Sequence, residues 1–129
     1  MIKIGVLGDI GSGKSYVANS FGYPVFNADK EVSKLYKTDK KIFFRLKKIL
    51  PNFFQKFPIE KNQVSNAILD NKQNLKKIVK IIHKEVRKKM LTFLKKNAYK
   101  KIVILDIPLL LDNKINNKTY ILIFICKFF

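Results

Sequence analysis

Gly8-Asp9-Ile10-Gly11-Ser12-Gly13-Lys14-Ser15 decides how this chain folds. The eight residues match the phosphate-binding pattern G-x-x-x-x-G-K-[ST], and chance gives such a match in roughly one chain of this length in a few hundred. Ile2-Lys3-Ile4-Gly5-Val6-Leu7 runs before it as a short apolar strand, and Tyr16-Val17-Ala18-Asn19-Ser20-Phe21 after it reads as the first turns of a helix. In that setting the glycines let backbone N–H groups curl around a polyphosphate, and the helix N-terminus adds its partial positive charge. Lys14 is placed to reach the β- and γ-phosphates, and the Ser15 hydroxyl can ligate Mg²⁺. Gly8, Gly11, Ser12, Gly13, Lys14, Ser15 and Tyr16 are therefore the candidate nucleotide-binding residues.

Composition narrows the class further. With 129 residues and 47% hydrophobic content, one domain with a buried core is expected. The longest apolar run, Ile121-Leu122-Ile123-Phe124-Ile125-Cys126, falls far short of the ~20 residues of a spanning helix. No membrane association is expected, and the N-terminus carries no recognisable signal peptide. A single cysteine, Cys126, allows no internal disulfide, and the lone His83 excludes a Cys/His zinc cluster, so a reduced cytoplasmic setting fits. The net charge of +18 is almost wholly lysine, Arg45 and Arg87 being the two arginines. Those lysines are scattered along helices rather than interleaved with exposed aromatics, so they read as solvated faces and a dedicated nucleic-acid site is not expected.

Along the chain, Tyr23-Pro24-Val25-Phe26-Asn27 reads as a second short strand ending near Asp29, and Lys30 to Lys37 as a helical turn or two. Ile42, Phe43, Leu46, Ile49 and Leu50 mark an amphipathic helix closed by Pro51. Pro51 to Pro58 is aromatic and irregular, and helices are expected over Lys61 to Leu69 and Lys72 to Asn97. In the last of these, Leu75, Ile78, Val79, Ile82, Val86, Met90, Phe93 and Leu94 recur at three- and four-residue steps and define a buried stripe. Lys101 to Asp106 and Tyr120 to Cys126 are apolar strands of the parallel type, and Asp112 to Lys118 reads as a flexible loop. Strands alternating with helices behind a phosphate loop give a three-layer α/β core with a mostly parallel sheet. The organisation expected is one domain over residues 1–129, with core about 1–38 and 99–129 and a helical, substrate-covering insertion about 39–98.

Further chemistry gathers at strand ends. Asp29 follows the second strand, where open α/β sheets place ligands, and can accept a proton from a hydroxyl as phosphate transfers; an Asp there serves equally as a helix N-cap. Asp106 ends the next strand, where it can support Mg²⁺ directly or through water, or act as a turn residue before Pro108. His83 and Arg87 are four apart on one side of the long helix, a spacing that suits either a phosphate or nucleotide edge or a plain surface pair.

Taken together these motifs resemble the dephospho-coenzyme A kinase family over nearly the whole chain. The loop is similar to that family's G-G-I-G-S-G-K-S, and Asn27-Ala28-Asp29 to its D-A-D. Ile81-Ile82-His83-Lys84-Glu85-Val86-Arg87 is similar to its I-I-H-P-x-V-R, and Leu105-Asp106-Ile107-Pro108-Leu109-Leu110-Leu111-Asp112 to its L-D-V-P-L-L-F-E. The resemblance implies a P-loop kinase that transfers the ATP γ-phosphate to the ribose 3′-hydroxyl of dephospho-coenzyme A, the last step of coenzyme A synthesis. It implies Asp29 as base, Lys14 as stabiliser of the transferring charge, Ser15 and Asp106 at Mg²⁺, and His83 and Arg87 lining the acceptor site with Asp29.

The chain departs from the family pattern at Asp9 (a loop glycine), Tyr16 (usually Thr), Asn27 (the first acid) and Lys84 (a proline). Family members also continue past the strand matching Tyr120 to Cys126, into an arginine-bearing lid helix, another strand and an adenine-contacting segment. The lid and last core elements are thus not expected in this chain, and a missing transition-state cation can cost ~10³-fold in rate. Two other readings stand beside this one: a kinase for another small molecule such as a nucleoside monophosphate, and a non-catalytic nucleotide- or nucleic-acid-binding remnant.

Overall fold

Ile4, Val6 and Leu7 lie in a run with side chains enclosed on both faces, the signature of a strand flanked by neighbours. The computed structural model describes residues 1–8, 13–107 and 120–125, and there that run forms β1 (Ile2–Gly8). It is followed by α1 (Lys14–Ser20), β2 (Val25–Asn27), α2 (Ala28–Thr38), α3 (Lys40–Ile49), α4 (Lys61–Asp70), α5 (Gln73–Lys96), β3 (Ile102–Asp106) and β4 (Tyr120–Ile125). The four described strands form one parallel sheet in the order β2-β3-β1-β4. The α/β class with a parallel sheet is the one expected from the phosphate loop and the alternating elements.

The chain divides into two compact units, residues 1–29 with 89–129, and residues 30–88. The first holds the sheet and α1. Val6, Ala18 and Ile104 are fully buried at its centre, with Ile4 and Val25 packed against them. Phe26 adds a tilted ring contact with Phe93 at 5.6 Å between centroids. Full burial of Val6 or Ile104 contributes about 1.5–3 kcal/mol each. The connections leaving β1 and β3 run in opposite directions along the sheet, which marks the carboxyl ends of these adjacent strands as the ligand position of an open α/β sheet.

The second unit is helical. Asp39 caps α3, its Oδ1 accepting from Ile42 N at 3.1 Å, and Ile42, Phe43 and Leu46 turn one buried face inward while Lys40, Lys41, Lys47 and Lys48 stay exposed. Leu50 N donates to Leu46 O at 2.8 Å, and Pro51, lacking an N–H, ends the helix. The aromatic stretch after it is not surface loop throughout: Phe54 is fully buried and Phe57 packs on Phe43 at 5.7 Å. Glu85 on α5 accepts from Arg45 on α3 at 3.4 Å and from Lys88 at 3.3 Å. Burial raises the pKa of the Tyr36 hydroxyl above its ordinary 10.0, so it stays protonated through the physiological range.

The structure departs from the sequence reading at β2, at the stripe of α5 and at α2, where a full helix of 11 residues replaces the turn or two expected over Lys30 to Lys37. The second strand begins at Val25 rather than Tyr23, although the Pro24 carbonyl already accepts from Ile104 N at 2.9 Å; proline has no N–H with which to extend the ladder. It ends at Asn27, and Asp29 lies in the first turn of α2. On α5 the buried stripe opens with Asn74 rather than Leu75, which is 37% exposed. Asn74 Nδ2 donates to Ala67 O at 2.8 Å, a second donor beside Asn71 N at 3.3 Å, and so ties the start of α5 to the last turn of α4. The expected loop at Asp112 to Lys118 and the residue Cys126 fall outside the described residues.

Candidate active site

Register does the positioning. Asn27 of β2 stands opposite Asp106 of β3, and Asp106 stands opposite Val6 of β1. Neighbouring strands lie about 4.8 Å apart, and residues in parallel register share a face, so the Asn27 and Asp106 side chains lie side by side. Lys14 and Ser15 open α1. The turn into that helix passes through Gly13 at φ 84°, a left-handed conformation that a side chain would strain although a Cβ would meet nothing within 4 Å. Glycine is thus required at 13 by the backbone rather than by space.

Three polar side chains converge on one carboxylate. Lys14 Nζ donates to Asp106 Oδ1 in a buried ion pair, Lys14 being 8% and Asp106 0% exposed. Ser15 Oγ donates to Asp106 Oδ2 at 2.8 Å. Asn27 Nδ2 donates to the same Oδ2 at 3.2 Å and reaches Ser15 Oγ at 3.5 Å. Taking a carboxylate out of water costs several kcal/mol, offset here by one cationic and two neutral donors. Removing any one of them leaves the buried charge under-compensated.

This arrangement has two chemical capacities. An ammonium carries three donors, so Lys14 can hold Asp106 and anionic oxygens together. Ser15 Oγ and Asp106 Oδ2 are hard oxygens close enough to serve one small cation, the donor type Mg²⁺ takes when phosphate oxygens and water complete its shell. Their chemistry fits the Mg²⁺ and nucleotide phosphates expected from the motif.

The remaining sequence candidates are distributed as follows. Gly8 closes β1, paired with Ile125 of β4. Asp9, Gly11 and Ser12 lie outside the described residues. Tyr16 projects from α1 with 81% of its surface exposed. Asp29, two residues beyond Asn27, is exposed and makes no ion pair among the described residues. His83, half-buried, and Arg87, exposed, sit one turn apart on α5 in the second unit. Asn27 is the member of the cluster that sequence reading missed. It stood out only as a departure from an acid, and its contact with Asp106 depends on a strand order that no local pattern reveals.

A parallel sheet with a lysine, a serine and an aspartate gathered where the strands adjoining its switch of direction end defines a phosphate-loop α/β protein of the nucleotide-binding class. Comparison with known proteins narrows the class. A family model described as dephospho-CoA kinase (CoaE) matches residues 2–128. The dephospho-CoA kinase of Wolbachia sp. subsp. Brugia malayi (strain TRS) is 35% identical over 127 residues, 95% of this chain and 65% of the relative. That of Wolbachia pipientis wMel is 36% identical over 116 residues, 86% of this chain and 60% of the relative. The crystal structure of TT1252 from Thermus thermophilus superposes with a TM-score of 0.73 at 25% identity, covering 97% of this chain and 65% of that one. The chain belongs to the dephospho-CoA kinase family. It spans 60% to 65% of the length of these two curated relatives. Among the described residues, no helix is long and apolar enough to cross a membrane.

Proposed function

We propose that this chain carries the catalytic phosphate-loop portion of a dephospho-coenzyme A kinase, which transfers the γ-phosphoryl group of ATP to the ribose 3′-hydroxyl of dephospho-coenzyme A. The observation that supports it is the Lys14–Asp106–Ser15 cluster at the strand ends, in a chain of this family. A bond forms between the 3′-oxygen and the γ-phosphorus as the bond from that phosphorus to the bridging oxygen breaks, and ADP leaves. The hydroxyl proton passes to the Asp29 carboxylate, which its place after Asn27 sets at the same end of the sheet. Lys14 stabilises the charge that spreads over the transferring phosphoryl oxygens. Ser15 and Asp106 would hold Mg²⁺, which neutralises phosphate charge when bound. His83 and Arg87 are assigned to the acceptor, Arg87 because an exposed guanidinium can grip phosphate with two parallel hydrogen bonds. The reaction is assigned to the cytoplasm, in keeping with an acceptor and donor that are both soluble nucleotides.

The test is incubation of the purified chain with Mg·ATP and dephospho-coenzyme A, followed by mass spectrometry for coenzyme A. Product is expected, and Asp29→Asn should reduce it roughly 10²–10⁴-fold. Absence of coenzyme A while a nucleoside monophosphate becomes phosphorylated would move the chain to another kinase. Oligonucleotide binding without any phosphoryl transfer would place it among non-catalytic binders.

A further inference from the structure

Asn27 is the member of the Asp106 cluster that has neither a charge nor a place in the phosphate-binding pattern. Its position is nevertheless fixed twice over, by the register of β2 on β3 and by the hydrogen bond from Nδ2 to Asp106 Oδ2 at 3.2 Å. An ionised carboxylate only accepts, so the nitrogen of the carboxamide faces it, and an oxygen in that place would set acceptor against acceptor. Oδ2 thereby takes two donors, Ser15 and Asn27, while Oδ1 takes Lys14. With both oxygens engaged from two elements, α1 and β2, the carboxylate cannot turn about its own axis without breaking a bond.

Resting on the phosphotransferase reading of this site, we propose that Asn27 is a positioning residue that keeps Asp106 Oδ2 beside Ser15 Oγ without help from a divalent cation. The pair of oxygens that would take Mg²⁺ is then preformed by an amide. Aspartate has the shape of asparagine but supplies a second carboxylate in place of the donor. Two carboxylates some 3 Å apart repel unless a cation lies between them. Residue 27 therefore decides whether this corner of the fold stands alone or needs a metal.

Thermal unfolding of the nucleotide-free chain, in EDTA and in roughly 10 mM Mg²⁺, reads this out directly with Asn27→Asp beside the wild type. The wild-type midpoint is expected to be nearly the same in both buffers. Asn27→Asp should melt roughly 5 °C lower in EDTA and recover at least half of that in Mg²⁺. A side chain that merely fills space would give a variant indifferent to Mg²⁺, so equal midpoints in the two buffers overturn the proposal. If Asn27→Asp folds in neither buffer, Asn27→Ala carries the test. Its affinity for Mg·ATP should fall roughly 10-fold with affinity for metal-free ATP unchanged, and equal losses or no loss overturn the proposal. The midpoint requires neither nucleotide nor acceptor. A wild type that makes no coenzyme A beside a Mg²⁺-dependent Asn27→Asp removes the kinase and keeps the positioning role. An active wild type beside an indifferent Asn27→Asp does the reverse.

Discussion

Lys14 serves two masters, and its substitution should show both. It is the cation proposed for phosphate, and it is the counter-charge of a carboxylate with no exposure at all. Lys14→Ala is expected to weaken ATP binding roughly 10–100-fold, the worth of a charge-assisted hydrogen bond, measured by calorimetric titration. It should also destabilise the fold, since breaking a buried pair costs about 3–5 kcal/mol; Ser15 and Asn27 still donate to Asp106, which favours the lower end. Arg87→Ala tests the opposite kind of residue, exposed and remote in sequence from the cluster. If Arg87 holds the acceptor as proposed, the expected result is a KM for dephospho-coenzyme A raised roughly 10-fold with kcat little altered, because a grip on a non-reacting phosphate acts on substrate and transition state alike. At this scale the sequence was generous with Lys14, Ser15 and Asp106, whose types and spacing belong to one motif and one strand end. It was silent on Asn27, because a contact across 79 residues of chain follows from strand order and register. Parallel pairing leaves no mark in local periodicity.

Elements carry their own predictions, and α3 offers a pair on one helix. Leu46 is 0% exposed, and Leu46→Ala should cost about 2–5 kcal/mol by leaving a cavity among packed neighbours. Asp39→Ala removes only the hydrogen bond to Ile42 N and should cost about 1 kcal/mol. Urea denaturation of the two variants should therefore separate them by midpoint in that order; a cap variant as damaging as the core variant would mean that Asp39 does more than cap. The spacing of Ile42, Phe43 and Leu46 announced this helix, as the run from Ile78 to Val86 announced α5, because burial on one face imposes a 3.6-residue period. The buried stripe of α5 opens at Asn74 rather than Leu75 for an equally physical reason. Hydropathy favours Leu75 for the interior, but the last turn of α4 presents a carbonyl there, and a buried amide at Asn74 answers it.

At the scale of the whole molecule the dominant feature is charge. Twenty-seven lysines and arginines stand against nine aspartates and glutamates, a formal net of +18. The Glu31–Lys34 pair at 3.7 Å and the pairs of Glu85 with Arg45 and Lys88 are partly exposed, and such pairs contribute at most about 1 kcal/mol each. With three times as many basic as acidic side chains, repulsion among lysines should therefore exceed attraction within pairs. Salt screens both, with a Debye length of about 10 Å at 0.1 M, so the term with more distant and more numerous partners loses most. Raising NaCl from about 20 mM to about 200 mM is expected to raise the unfolding midpoint by a few degrees, as self-repulsion in the folded state is relieved. Over the same range ATP should bind a few-fold more weakly, because the positive field that draws a polyanion toward the strand ends is screened as well. The two responses have opposite signs and one cause. A midpoint that falls with salt would show that specific ion pairs, above all those around Glu85, outweigh the net charge, and the weakening of ATP binding would then have to be sought in the Lys14 contact itself.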